Sequence, residues 1–218
     1  MARKEERVGF DSEGLGLEGR WRPPSPSPGP AAAICHPHPQ FGGSMDNNVV
    51  IAVAEALAAA GFGALRFNFR GVGQSRGAYG AMIGEVEDVK AALAWLKARP
   101  EVAPGKAALV GYSFGGLMAL YAAAEWKDPA ALALVSPMNP EKGFARDPRL
   151  KPLAGSGLPV FAITGSRDLF CPPKALAALG KILSCQVRIF PDADHFWWGQ
   201  EEAVAQAVAE FLSKGSGF

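Results

Sequence analysis

One serine of the sequence lies in a setting that is typical of an enzymatic nucleophile. Residues 111–115 read Gly-Tyr-Ser-Phe-Gly, and they join an expected strand at 106–110 to an expected helix at 114–126. In the G-x-S-x-G pattern the glycines let the strand and the helix come close together, and the tight turn exposes the serine hydroxyl. The helix behind it presents N–H groups that can bind an oxyanion. We therefore expect Ser113 to be a catalytic nucleophile.

A serine hydroxyl is a weak nucleophile unless a general base removes its proton. The chain has three histidines, His36, His38 and His195. His195 lies between the last expected strand and the last expected helix, in a loop that would open at the same sheet edge as Ser113. This position predicts that His195 is the base. The alternative is a loop histidine that titrates freely in water.

Such a base needs a carboxylate that fixes its tautomer. Asp168 follows an expected strand at 158–164, so its side chain would reach the same sheet edge. Asp192 and Asp194 are alternatives, but residues this close to His195 in sequence seldom fold back onto its imidazole, and we interpret them as turn formers. The chain order of serine, acid and histidine is that of one of three unrelated folds with this triad.

The elements that must position these residues alternate between strands and helices. Several strands are continuous apolar runs, which is typical of a mostly parallel sheet that helices cover on both faces. Two early pieces, Glu6–Phe10 and Leu15–Trp21, predict an antiparallel edge at the N-terminal side. We expect a single α/β domain over residues 1–218, with 214–218 set apart as a tail. The expected strands are 31–36, 63–69, 106–110, 131–136, 158–164 and 186–190, and the expected helices are 46–60, 81–99, 114–126, 173–183 and 201–213.

The composition excludes several other classes of protein. With 218 residues, 49% of them hydrophobic and 20% charged, the chain is not disordered, collagen-like or a coiled coil. A net charge of +1 argues against a nucleic-acid partner. Three cysteines imply no disulfide framework, and no apolar run is long enough for a signal peptide or a membrane span. We expect a cytoplasmic protein without a membrane partner.

Two further segments carry a resemblance to a known family. Residues 35–47 (CHPHPQFGGSMDN) and 66–77 (RFNFRGVGQSRG) are similar to segments of small, lidless bacterial α/β-hydrolases, and nearly the whole chain resembles the dienelactone-hydrolase-like serine esterases. Dienelactone hydrolases proper carry a cysteine nucleophile where this chain has Ser113. The resemblance implies a serine carboxylesterase that needs no cofactor and no metal. As its partner we expect a small-molecule ester substrate, with the chain a monomer or a homodimer.

The resemblance also implies an oxyanion hole. In that family the residue after the nucleophile, here Phe114, donates one N–H, and the loop after the strand at 31–36 donates the second. The prolines of this loop have no N–H. The candidates are His38, Gln40 and Phe41, and of these we favour Gln40.

Aromatic side chains are frequent in the loops that would surround the triad. Their position at strand ends predicts that several line a substrate pocket, and the alternative is ordinary core packing. The segment 137–157 is too short for a large cap domain, so the site should be open and suited to small or short-acyl esters. The predicted substrate-binding residues are Phe41, Phe170, Phe196, Trp197 and Trp198.

Three motifs allow other interpretations. Cys35, His36 and His38 resemble metal ligands, but neighbours on a strand point to opposite faces and no second cluster completes a tetrahedral set. Residues 71–76 (GVGQSR) begin like a dinucleotide fingerprint, but arginine stands where its third glycine belongs. The proline-rich residues 22–30 could bind a partner domain as polyproline, and we favour a stiff turn between two strands.

The same triad could also serve other reactions. A peptidase or amidase would need a binding site for the substrate amine and better protonation of the leaving group. A thioesterase for coenzyme A esters would need a basic groove, and none is evident. A hydrolase fold used only for binding is the alternative from a different class, although all three members of the triad are present.

Overall fold

The computed structural model describes residues 4–126 and 128–215, and within them it contains one sheet of eight strands. The strands are β1 (Glu6–Ser12), β2 (Leu15–Arg22), β3 (Gly29–Cys35), β4 (Gly63–Phe67), β5 (Val102–Tyr112), β6 (Leu132–Val135), β7 (Val160–Gly165) and β8 (Gln186–Phe190). The α-helices are α1 (Asn48–Ala59), α2 (Gly84–Lys97), α3 (Phe114–Trp126), α4 (Pro173–Leu183) and α5 (Glu201–Gly215). Helix α5 includes Lys214 and Gly215, the first two residues of the expected tail, and residues 216–218 lie outside the described residues.

The order of the strands creates a crevice at the centre of the sheet. The order is β1-β2-β4-β3-β5-β6-β7-β8, in which β1, β2 and β4 pair antiparallel and all other neighbours pair in parallel. The predicted mostly parallel sheet with an antiparallel N-terminal edge is therefore confirmed. The chain proceeds outward from β3 to β4 and then returns to β5 on the other side of β3. Ligands of open α/β sheets bind at such a switch point, beyond the carboxyl ends of the strands.

Helices cover both faces of the sheet, as predicted. One buried apolar cluster lies between the sheet and helices α2, α3 and α4, and the other lies between the sheet and helices α1 and α5. Helix α3 is apolar around its whole circumference for most of its length, because the sheet, α2 and the segment after β6 enclose it. Each fully buried leucine or valine of these clusters contributes roughly 1.5–3 kcal/mol.

The segment 137–157 does not form a cap. It contains two short 3₁₀-helices, Phe144–Arg146 and Pro148–Leu153, whose apolar side chains join the core beside α3 and α4. The proline-rich residues 22–30 connect β2 to β3, as favoured above. In the part of the chain that the structure describes, no helix is long and apolar enough to cross a bilayer.

Two elements begin three or more residues away from their predicted starts. Helix α2 was expected from residue 81 but begins at Gly84, because Ala81 and Met82 adopt left-handed φ angles of 52° and 69°. The Glu85 carboxylate stabilises this turn by accepting the N–H groups of Gly80 and Met82. Strand β5 begins at residue 102 instead of 106, through an irregular pairing with β3.

Candidate active site

The turn between β5 and α3 holds Ser113 in a strained conformation. Its φ angle is 54°, a left-handed value that is uncommon for a residue with a side chain. Two backbone hydrogen bonds maintain it: Ser113 N–H donates to Val135 O at 2.9 Å, and Met138 N–H donates to Ser113 O at 2.8 Å. Strand β6 and the segment that follows it thus fix the serine at the sheet edge.

The two glycines of the motif are required by close backbone contacts. A Cβ atom at Gly115 would lie 2.3 Å from the carbonyl oxygen of Cys35, and a Cβ atom at Gly111 would lie 2.4 Å from the carbonyl oxygen of Gly115. Both obstacles are backbone atoms, which cannot move aside as a flexible side chain can. The glycines therefore let β5 and α3 come close together, as the motif predicted, and they also let the end of β3 lie against the first turn of α3.

The structure brings Ser113, His195 and Asp168 together. Ser113 Oγ lies 2.9 Å from His195 Nε2, and His195 Nδ1 lies 3.0 Å from both carboxylate oxygens of Asp168. All three residues are buried. Because an ionised carboxylate only accepts, Nδ1 carries the proton that it receives, and Nε2 of the neutral ring is free to accept from the serine hydroxyl.

Asp168 is held as an anion by its surroundings. Burial by itself would raise its pKa, but hydrogen bonds from His195 and from the Cys171 backbone outweigh it and hold the pKa of Asp168 below its usual range. Its Oδ1 accepts the N–H groups of Phe170 at 2.9 Å and Cys171 at 2.8 Å. The Thr164 hydroxyl lies 3.1 Å from Oδ2. This loop therefore presents an ionised, immobile carboxylate to the imidazole.

The two alternative acids have other partners. Asp192 is exposed and accepts from Arg167 Nη2 at 2.6 Å, on the surface of the same pair of loops. Asp194 Oδ1 accepts the N–H groups of Phe196 at 2.9 Å and Trp197 at 3.1 Å, which is how a turn-forming aspartate behaves.

His36 positions the loop after β3, a role that the sequence reasoning missed. Its side chain is fully buried, its Nδ1 donates to Pro37 O at 2.6 Å, and its Nε2 accepts Phe69 N–H at 3.1 Å. Burial lowers the pKa of His36 to about 4, so the ring stays neutral and keeps both bonds at neutral pH. Both ring nitrogens are thus occupied by backbone groups. The only sequence signal was a histidine at the end of a buried strand.

The same loop changes the choice of the second oxyanion donor. The favoured amide, Gln40 N–H, donates to His38 Nδ1 at 3.2 Å, and Phe41 N–H donates to His38 O at 3.0 Å. Of the three candidates, only His38 N–H has no acceptor within residues 4–126 and 128–215. The His38 ring packs on the Phe114 ring at 4.6 Å. His38 N–H is therefore open to an acceptor from a ligand, whereas Gln40 N–H, the donor favoured from the sequence, is already engaged.

The predicted substrate-binding aromatic residues fall into different environments. Phe170 and Phe196 pack on the His195 ring, with centroid distances of 4.7 and 5.7 Å, and both remain largely exposed. Phe41 is exposed on the other side of the site and packs on His38 at 4.8 Å. The exposed Trp198 has no ring partner among the described residues.

Trp197 is a core residue, so its prediction as a pocket residue is wrong. Its side chain is fully buried, its Nε1 donates to Ser136 Oγ at 3.1 Å, and its ring packs on Phe190 at 5.4 Å. Tyr79, which the sequence reasoning missed, instead lies at the site, 5.3 Å from His38 and 6.1 Å from Phe114 between ring centroids. It comes from the loop before α2, which no sequence motif marked.

Comparisons with known proteins identify the family of the chain and the proteins that share its fold. A family model described as X-Pro dipeptidyl-peptidase (S15 family) matches residues 19–147. An uncharacterized protein of Rickettsia prowazekii is 31% identical over 204 residues, which cover 90% of this chain and 84% of that protein.

Two solved structures share the fold over nearly their whole length. An α/β serine hydrolase homologue from Coxiella burnetii is 29% identical, with a TM-score of 0.81 over 97% of this chain and 98% of that one. XC6422 from Xanthomonas campestris, described as an α/β serine hydrolase without lid, is 27% identical, with a TM-score of 0.83 over 100% of this chain and 98% of that one. The chain is therefore a serine hydrolase of the α/β type, and it belongs to the X-Pro dipeptidyl-peptidase (S15) family.

Proposed function

We propose that this protein is a serine carboxylesterase that acts on small or short-acyl esters through Ser113, His195 and Asp168. The observation that carries the proposal is the unbroken hydrogen-bonded series from Ser113 Oγ through both nitrogens of His195 to the Asp168 carboxylate. This is the arrangement that activates a serine hydroxyl for attack on a carbonyl.

The reaction follows from the positions of these groups. Ser113 Oγ attacks the ester carbonyl while His195 Nε2 takes its proton, and Asp168 stabilises the resulting imidazolium. The N–H groups of Phe114 and His38 bind the oxyanion of the tetrahedral intermediate. His195 then protonates the leaving alkoxide, and the acyl group remains on the serine. A water molecule that gives its proton to the same nitrogen hydrolyses the acyl-enzyme and releases the acid.

A peptidase is the second candidate, because the family model that matches the chain is that of an X-Pro dipeptidyl-peptidase. An enzyme that releases dipeptides has to recognise the terminal ammonium of its substrate, for which a free carboxylate is suitable. On the His195 loop, however, Asp192 is paired with Arg167, and Asp194 is used by two backbone N–H groups. This loop therefore offers no unengaged carboxylate, which supports an ester substrate.

The decisive experiment compares two substrates and one covalent label. We expect hydrolysis of p-nitrophenyl acetate, little release of p-nitroaniline from a Gly-Pro anilide, and labelling of Ser113 by a fluorophosphonate. Ser113→Ala should abolish the labelling and lower turnover by several orders of magnitude. The control Ser156→Ala, at an exposed serine, should be labelled nonspecifically no more than wild type and should keep the wild-type labelling of Ser113 and the wild-type turnover. Faster turnover of the anilide than of the ester would favour the peptidase. A folded Ser113→Ala protein with full esterase activity would refute the mechanism.

A further inference from the structure

The exposed aromatic pair Phe170 and Phe196 lies on the side of the site from which an alcohol would leave. In the reaction proposed above, on which this inference rests, His195 Nε2 protonates the leaving oxygen, so the leaving group has to depart next to the imidazole. Phe170 and Phe196 are the rings that pack on this imidazole at its exposed side, and they also contact each other at 6.2 Å between centroids.

The backbone holds both rings in a fixed relation to the triad. Phe170 N–H donates to Asp168 Oδ1, the same carboxylate that orients His195, and Phe196 N–H donates to Asp194 Oδ1. The two rings meet at an interplanar angle of 77°, so they form a corner and not a flat wall. A corner of two rings on rigid turns offers both a face and an edge to a third ring, which are the preferred contacts between aromatic groups.

The two side chains are more exposed than their apolar character favours. Phe170 is 60% exposed and Phe196 is 49% exposed, and Leu169, which precedes Phe170, is 87% exposed. Exposed apolar groups that adjoin one another commonly mark a ligand-binding surface. The charged side chains that flank these rings are already engaged, because Arg167 is paired with Asp192 and Asp194 accepts two backbone N–H groups. An uncharged, apolar ligand group suits such a surface best.

We propose that Phe170 and Phe196 bind the leaving alcohol of the substrate, and that esters of aromatic alcohols are preferred over esters of small alkyl alcohols. The acyl group then lies on the other side of Ser113. Because Phe170 and Phe196 belong to the loops that carry Asp168 and His195, they should set the preference for the alcohol of the ester and not the preference for the length of the acyl chain.

The test compares benzyl acetate with methyl acetate, which share an acyl group. Each kcat/KM is divided by the rate constant for hydroxide-catalysed hydrolysis of the same ester, so that the intrinsic reactivity of the two leaving groups cancels. We expect the benzyl-to-methyl ratio of these normalised values to exceed ten for the wild-type protein. Phe170→Ala and Phe196→Ala should each lower the ratio by about fivefold.

Two further variants separate the proposal from nonspecific effects. Phe170→Leu keeps an apolar side chain without a ring and should lower the ratio nearly as much as Phe170→Ala. Trp126→Ala removes a partly exposed ring at the far end of α3, roughly 18 Å along the helix from its start, and should leave the ratio at its wild-type value.

The outcomes distinguish this proposal from the proposed function. A wild-type ratio near one, or a ratio that falls with Phe41→Ala and not with Phe170→Ala, overturns the alcohol site while the esterase remains. If neither ester is hydrolysed and a fluorophosphonate leaves Ser113 unlabelled, the proposed function itself has failed.

Discussion

His195 Nδ1 is equidistant from the two carboxylate oxygens of Asp168, at 3.0 Å from each. The carboxylate therefore presents both of its oxygens to the ring, and the N–H groups of Phe170 and Cys171 prevent it from turning away. Because these N–H groups need an acceptor at Oδ1, the amide oxygen of an asparagine would take that position and its NH₂ would take the position of Oδ2, 3.0 Å from Nδ1.

Asp168→Asn should therefore lower kcat/KM for p-nitrophenyl acetate by about 10⁴-fold. The amide NH₂ would donate to Nδ1 and so stabilise the tautomer in which Nε2 carries the proton and cannot accept it from Ser113. Steady-state kinetics together with a far-UV circular dichroism spectrum would check this expectation. Asp192→Asn is the matched control, since that carboxylate pairs with Arg167 at the surface, and its activity should stay within about twofold of wild type. A damaging Asp192→Asn beside a mild Asp168→Asn would show that the acid is misassigned.

The preference for acyl chains should peak between acetate and hexanoate. Without a cap over the site, few methylenes of a longer chain can be buried, and each unburied methylene forgoes ~0.8 kcal/mol. Values of kcat/KM for p-nitrophenyl esters from acetate to laurate, measured below their critical micelle concentrations, would test this. A maximum at decanoate or beyond would instead mean that the exposed aromatic loops form a deep acyl pocket.

His36 should make the stability of the protein depend on pH in a defined window. Burial lowers its pKa in the folded protein to about 4 from a usual value of 6.5, so between these values the unfolded chain binds a proton that the folded chain rejects. Stability is therefore fully present above about pH 6.5 and is lost as the pH falls towards 4. From pH 7 to pH 5 this loss amounts to about 2 kcal/mol. Urea unfolding of wild type and His36→Gln at both values should show the variant lacking this part of the pH dependence. Equal pH dependence in the two proteins would rule out a neutral, buried His36.

Truncation of the two adjacent tryptophans, Trp197 and Trp198, should change the free energy of unfolding by very different amounts. Trp197→Ala should lower the free energy of unfolding by about 3–5 kcal/mol, because it opens a cavity in the core and leaves Ser136 Oγ without its indole donor. Trp198→Ala, at an exposed side chain, should change it by no more than about 0.5 kcal/mol. Chemical denaturation of both variants decides this, and a stable Trp197→Ala protein would argue against the buried position.

Several features of the fold and the site were predictable because their causes are local. A left-handed turn between close-packed strand and helix needs glycine neighbours, so the pattern around Ser113 identifies the turn from sequence. Asp168 follows β7 and His195 follows β8, and the carboxyl ends of these neighbouring parallel strands meet at one edge. Apolar runs of strand length separated by helical periods likewise sufficed to predict the sheet.

Other features depended on contacts that no local pattern reveals. The helix expected from residue 81 starts late because Glu85 folds back onto the turn before it. The sequence offers no reason to prefer His38 over Gln40 as an oxyanion donor. Only the folded turn shows that Gln40 N–H donates to His38 Nδ1, whereas His38 N–H has no acceptor among the described residues. Trp197 and Trp198 are neighbours of the same type, and only the tertiary packing shows which of them is buried.

The sequence by itself determined the α/β sheet and singled out the serine, histidine and aspartate that the structure brings together, because strand length, glycine spacing and chain order are properties of the chain alone. The tertiary structure decided which loop amide is already engaged, that His36 and Tyr79 lie beside the triad residues, and that Phe170 and Phe196 pack on the imidazole. These relations join residues far apart in the chain, and their distances are set by how loops pack on the finished sheet. Local propensity does not contain that information.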